Sequence, residues 1–146
     1  MRFPDKWWTY PAESENGRTI IVTGRDGLDK VMDSGKYRYR LDVSWDYEAG
    51  SDGMPSDEES RLMEQATDAL RTAFDKSRSA VLTGIYTGDG RRDLIFYSLN
   101  LKVFSYVFNE ALAGLPPLPL HVEATEDVDW SEYRDMRAST YVPDED

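Results

Sequence analysis

An α+β sandwich, with two helices against one face of an antiparallel sheet, is the fold class this sequence predicts, on three observations. Residues 37–47 alternate strictly, Tyr37, Tyr39, Leu41, Val43, Trp45 and Tyr47 against Arg38, Arg40, Asp42, Ser44 and Asp46. That period of two, in aromatic and β-branched types, marks a strand with one face on a core. Two later stretches, 56–75 and 100–113, carry apolar residues at helical spacing. From Tyr37 onward the elements then run strand, helix, strand, strand, helix, strand.

Each element has its own warrant. Trp7–Glu13 and residues 18–23 read as short strands, and Asn16-Gly17 between them supplies the positive φ angles of a tight hairpin. Pro11 has no N–H to donate, which puts the first strand at a sheet edge. Residues 24–35 hold turn chemistry at both ends and one helical turn, 28–32, between them. Past the alternating strand, 48–55 is a polar loop with Gly50 and Gly53. Ser56, with Glu59 three residues on, forms a capping box, and Asp57, Glu58 and Glu59 complement the helix dipole. Leu62, Met63, Ala66, Ala69, Leu70, Ala73 and Phe74 then share one sector of the helix, opposite Arg61, Glu64, Asp68, Arg71 and Asp75.

Residues 80–87 and 93–98 are apolar on both alternations, so both strands are expected to be central or covered on both faces. Gly88-Asp89-Gly90 joins them. Asn100 caps a second helix, 101–113, stopped by Gly114 and the prolines Pro116 and Pro117. Leu101, Phe104, Val107, Phe108, Ala111, Leu112 and Leu115 line one side of it. Val103 and Tyr106 point away, toward a second contact surface. Residues 118–125 form the last strand, 130–136 a short helix, and 140–146 a frayed tail.

The βαββαβ order is that of the ferredoxin-like sandwich. Right-handed crossovers place the alternating strand centrally. The N-terminal β-hairpin is extra, and either widens the sheet or shields the face the helices leave open. The competing fold is a different α+β sandwich with the hairpin in an inner position. The chain reads as one domain over residues 1–137, followed by an acidic tail, 138–146.

Composition narrows the function. The 146 residues carry 17 basic and 28 acidic side chains, a formal charge of −11. A field of that sign repels phosphate backbones and anionic lipid, so nucleic acid and membrane surfaces are disfavoured. Its natural complement is a basic protein. There is no cysteine, which excludes disulfides, thiolate metal sites and cysteine nucleophiles. The N-terminus lacks an apolar signal core and no stretch has the ~20 apolar residues of a bilayer span, so a cytoplasmic location is expected.

Catalytic and metal motifs are sparse. His121 is the single histidine; its strand places it on one face with Glu123 and Thr125, near Arg40 or Asp42 if the two strands are neighbours. No serine occupies a G-x-S-x-G elbow. Asp46, Glu48, Asp52 and Glu58 surround one loop and Glu126, Asp127, Asp129 and Glu132 another, without EF-hand spacing. The run Thr87-Gly88-Asp89-Gly90-Arg91-Arg92-Asp93 lacks the Walker lysine and joins two strands, which makes it a hairpin turn. No cofactor is expected. Trp7, Trp8, Trp45, Trp130 and Tyr133 fall near strand ends or in irregular segments, as core, lid or binding aromatics.

Several of these residues also form an ordered set: Trp8-Thr9-Tyr10, Val43-Ser44-Trp45, Gly84-Ile85-Tyr86-Thr87, Gly90-Arg91-Arg92-Asp93 with Phe96-Tyr97, and Asp129-Trp130 with Tyr133. The set resembles the bacterial family catalogued as domain of unknown function 695, over roughly residues 5–137. That family has no established activity. Some members look fused to a domain similar to the protein regulator of ribonuclease E activity, a small acidic inhibitor, so the resemblance implies a regulatory, protein-binding role. With His121 added, the candidate binding residues are Trp45, Thr87, Arg92, Tyr97, His121, Trp130 and Tyr133.

Three readings follow. The first is a non-enzymatic acidic module that binds a basic protein or another copy of itself. The second is a small-ligand binder or enzyme on the open sheet face, using Arg40, Asp42, Tyr97, His121 and Glu123. The third is a structural domain that pairs through the weakly charged second helix or an edge strand.

Overall fold

In the computed structural model, which describes residues 2–143, six strands form one antiparallel sheet. The strands are β1 (Trp7–Glu13), β2 (Thr19–Arg25), β3 (Tyr39–Asp46), β4 (Ala80–Gly88), β5 (Arg91–Ser98) and β6 (Leu120–Glu126). Their order across the sheet is β1-β2-β4-β5-β3-β6. Four helices accompany them: α1 (Asp29–Asp33), α2 (Asp57–Ser77), α3 (Leu101–Leu112) and α4 (Ser131–Thr140). The chain is therefore mixed α+β.

Strand β3 lies between β5 and β6, with Leu41 opposite Phe96 and Ala124, and Val43 opposite Leu94 and Val122. It is an inner strand, one place from the sheet's edge. Its alternation sorts the two faces. Leu41 and Val43 join Leu70, Phe74, Leu82, Leu94, Phe96 and Phe104 in the core beneath α2 and α3. Phe74 of α2 and Phe104 of α3 stack with centroids 4.8 Å apart.

Both helices start where the sequence places them. Ser56 Oγ accepts from the Glu59 N–H at 3.1 Å, and Asn100 Oδ1 accepts from the N–H groups of Lys102 and Val103 at 2.8 and 3.1 Å. The β4–β5 turn carries positive φ at both Asp89 (53°) and Gly90 (83°), the geometry that matches strand twist in a two-residue hairpin.

The N-terminal hairpin widens the sheet. Its β2 pairs with β4, which leaves β1, with Pro11, as the outermost strand. The second face is shielded by something else, the chain's two ends. Phe3, Leu28, Val31, Tyr37, Trp130, Tyr133 and Met136 bury against Trp8, Val22, Val81, Ile95 and Tyr97. Helix α4 runs to Thr140 and not merely to Met136. Thr140 Oγ1 accepts from the Trp8 indole N–H at 2.9 Å, and the Tyr141 ring meets Trp8 edge-on at 5.2 Å. Thr140 and Tyr141, within the segment expected as an acidic tail, thus pack on Trp8; residues 144–146 lie outside the described ones.

Candidate functional site

Helix α4 covers only part of the second face. Asp127 fixes where it starts. Its Oδ1 accepts from the Ser131 N–H (2.9 Å) and Oγ–H (2.7 Å), and its Oδ2 accepts from the Glu132 N–H (3.2 Å) and the Tyr97 hydroxyl (2.7 Å). The first N–H groups of a helix have no partner within it, and this carboxylate supplies one. Burial would raise the Asp127 pKa, but these bonds outweigh it and hold the carboxyl below its ordinary 3.8. Arg40 Nη1 adds an ion pair at 3.4 Å.

Beside α4 lies a groove of about 560 Å³. Ala12, Ile20 and Val22 of the hairpin give it an apolar side, while Arg40, Tyr86, Glu132 and Asp135 bring polar groups. The Tyr86 hydroxyl donates to Glu132 Oε1 at 2.6 Å. Glu132 Oε2 is buried with no hydrogen-bond partner among the described residues. Burial raises the Glu132 pKa above its ordinary value, against the lowering effects of the Tyr86 bond and Arg40, and the Asp42 charge pushes it further up.

The open remainder of this face is acidic. Asp42 is paired with Arg40 at 3.0 Å, yet burial, with the charges of Asp93 and Glu123, holds its pKa above the usual carboxylate range. Arg91 Nε donates to Asp93 at 2.8 Å and Arg91 Nη2 to Ser44 Oγ at 2.6 Å, while Ser44 Oγ donates to Asp93 at 2.9 Å. Carboxylates outnumber guanidiniums here, and two of them are held toward their neutral forms. Such a field favours an added cation.

The seven candidate binding residues do not meet in one place. Trp45, 3% exposed, lies beneath α2 and donates its indole N–H to Glu59 at 2.8 Å. Arg92 is half-buried on the same side. It donates to Thr87 Oγ1 (3.0 Å) and Thr67 Oγ1 (3.2 Å), and burial lowers its pKa. Tyr97 and Trp130 stack at 4.3 Å under α4, and the Trp130 indole donates to the Tyr37 carbonyl at 2.8 Å. The Tyr133 hydroxyl donates to the Arg25 carbonyl at 2.6 Å, and burial pushes its pKa up to about 12. These aromatics hold the fold together. His121 alone is exposed, on the edge strand β6. It stands across from Ser44, whose hydroxyl donates to Asp93, so the order needed for serine activation by histidine is not assembled.

The groove residues carry weaker sequence signals. Tyr86 belongs to a conspicuous strand, but its partner Glu132 sits 46 residues on, in the short helix expected over 130–136, and nothing local links the two. Asp127 is signalled by its place four residues before the first residue of α4, the position from which it bonds Ser131. Neither acidic run assembles a metal site: among the described residues, no three or more of His, Cys, Asp and Glu come together to hold an ion. Nor, among the described residues, is any helix long and apolar enough to cross a membrane.

No protein with a curated description matches the chain. The model of one family does, over residues 5–136, a span that holds the hairpin, the sheet, and α4 as far as Met136. The chain belongs to that family, the family of unknown function DUF695.

Proposed function

We propose that this domain is a non-enzymatic acidic binding or regulatory module of the bacterial cytoplasm. It engages a basic protein by taking one lysine or arginine side chain of that partner into the groove between the β1–β2 hairpin and α4. The observation that carries the reading is Glu132: it lines a groove whose other side is apolar, and its buried Oε2 has no hydrogen-bond partner among the described residues. Lysine and arginine have the complementary build, a charged head on an aliphatic stem. An arriving cation would also favour the ionised forms of Glu132 and Asp42, which burial now opposes. The formal charge of −11 would speed the encounter. The reading of β3 to β6 as a ferredoxin-like sandwich is supported by the antiparallel order β4-β5-β3-β6 and by the core beneath α2 and α3.

The competing reading, an enzyme or small-ligand site around His121, has less support, because His121 does not line this groove and no side-chain hydrogen bond to it is found among the described residues.

The test uses N-acetyl-arginine amide and N-acetyl-lysine amide as probes of the groove at low salt. At least one should raise the melting temperature of the wild type, and Glu132→Gln should abolish the rise. A wild type indifferent to both probes overturns the proposal, and so does a rise that survives in Glu132→Gln.

A further inference from the structure

Helix α3 has two faces of different character. Phe104 is buried in the core and stacks on Phe74 and Phe108. The opposite side carries Lys102, Val103, Tyr106, Asn109 and Glu110, all exposed, with Tyr106 68% exposed and Val103 44%. Spacings of three and four residues place them in one stripe. Large apolar side chains left in water on one helix face mark a contact surface more often than a scattered exposed residue does.

This stripe is self-complementary. Lys102 and Glu110 are the only charged residues of α3, and each stands four positions from Tyr106. A twofold axis through Tyr106 lays two copies of the helix antiparallel. Each Lys102 then faces the other copy's Glu110, each Val103 faces Asn109, and Tyr106 meets itself. Within one chain the Tyr106 hydroxyl already donates to Glu110 Oε1 at 3.3 Å, which holds that carboxylate on the stripe. The stripe has no net charge, in a chain whose formal charge of −11 opposes the meeting of two copies through most other surfaces.

We propose that a second copy of this chain docks on α3, as an isologous antiparallel helix pair centred on Tyr106. Residue i meets residue j and j meets i, as twofold symmetry requires. One helix pair buries less than the ~1,600 Å² of a standard interface, so the dimer forms at micromolar or higher concentration and dissociates on dilution. This inference does not depend on the groove beside α4.

Sedimentation equilibrium of the full chain tests it, with the wild type, Tyr106→Glu, Lys102→Glu, Glu110→Lys and the double swap Lys102→Glu/Glu110→Lys. All the substituted side chains are exposed, and circular dichroism verifies that each variant is folded. The wild type should show a concentration-dependent monomer–dimer equilibrium. Tyr106→Glu should be monomeric. Each single charge reversal should weaken association about tenfold or more by setting like charges face to face, and the double swap should restore it. A wild type that stays monomeric at high concentration overturns the proposal. So does a dimer unaffected by Tyr106→Glu, or a double swap no better than its single parents.

Discussion

The Tyr86 hydroxyl and Glu132 Oε1 sit 2.6 Å apart, a bond from a central strand to a helix 46 residues later. It joins α4 to the sheet with a carboxyl whose ionised form the surroundings disfavour. Burial raises the Glu132 pKa in the folded chain above its ordinary 4.5. The folded state therefore holds this proton more tightly than the unfolded state. The stability it contributes is fully present below 4.5 and is lost as pH climbs through the raised value. Glutamine cannot ionise, so Glu132→Gln should gain in melting temperature relative to the wild type as pH rises from about 4 to 7. Any penalty for burying an amide is the same at every pH and leaves that trend intact. Parallel melting curves across the range would show that Glu132 does not titrate abnormally.

Asp127 should behave in the opposite sense. Its pKa is depressed, so its contribution is present above the ordinary 3.8 and is lost as pH falls through the lower folded value. Asp127→Ala removes the acceptor for α4's first N–H groups and leaves the buried Tyr97 hydroxyl without an acceptor for its proton, although it still accepts from the Tyr133 N–H at 3.3 Å. A lost cap costs about 1 kcal/mol and a buried donor left unpaired about 1–3 kcal/mol, so denaturant titration should show a loss of about 3 kcal/mol at neutral pH. The loss should shrink as pH falls below 3.8 toward the lowered folded value, because the wild type gives up this contribution as its carboxyl takes a proton.

Local pattern makes one layer of this molecule legible and hides the other. The alternation from Tyr37 to Tyr47, the capping box at Ser56 and the Asn100 cap are all local signals, and β3, α2 and α3 appear where those signals lie. The cover of the second face depends on pairs far apart in sequence. Trp8 bonds Thr140 across 132 residues, and Trp130 bonds the Tyr37 carbonyl across 93. No periodicity within ten residues encodes such a meeting. For the same reason Trp130 and Tyr133 read equally well as lid, core or binding aromatics, and only their partners show that they are core. The groove inherits this difficulty, since its two sides come from opposite ends of the chain.

Gly24 shows how such a long-range requirement can rest on one absent atom. The Trp8 indole lies flat over it, so that a Cβ there would collide with the Trp8 ring. Trp8 is 4% exposed and leans on Tyr133 and Tyr141, so the ring has nowhere to go without opening the α4 layer. Gly24→Ala should therefore cost about 2–3 kcal/mol, the upper range for overpacking a filled core. Tryptophan fluorescence should shift to the red as Trp8 is displaced. A variant with wild-type stability and emission would mean that Trp8 is not needed to close this face.

Arg25 makes the strongest case for an ion pair that the fold cannot lose. Its side chain is 0% exposed, reaches Asp75 of α2 through both terminal nitrogens (2.9 and 3.2 Å), and donates Nε to the Pro4 carbonyl at 2.8 Å. The guanidinium also lies over the Trp7 ring, 4.9 Å from its centroid. One residue thus ties the N-terminal segment and the hairpin to the helix on the sheet's other face. Asp75 would keep its 25% exposure and the longer pair with Arg71 at 3.8 Å, so the loss is that of the charge-assisted bonds, and Arg25→Ala should cost about 1.5–3 kcal/mol. Arg25→Lys should recover little of that, because an ammonium can neither span both carboxylate oxygens nor stack as a plane on the indole. Arg25→Met in an Asp75→Leu background removes the charges together and keeps much of the volume, and it should be clearly more stable than Arg25→Ala alone. Equal losses in the single and double variants, measured by denaturant titration, would locate the effect in packing and not in the pair.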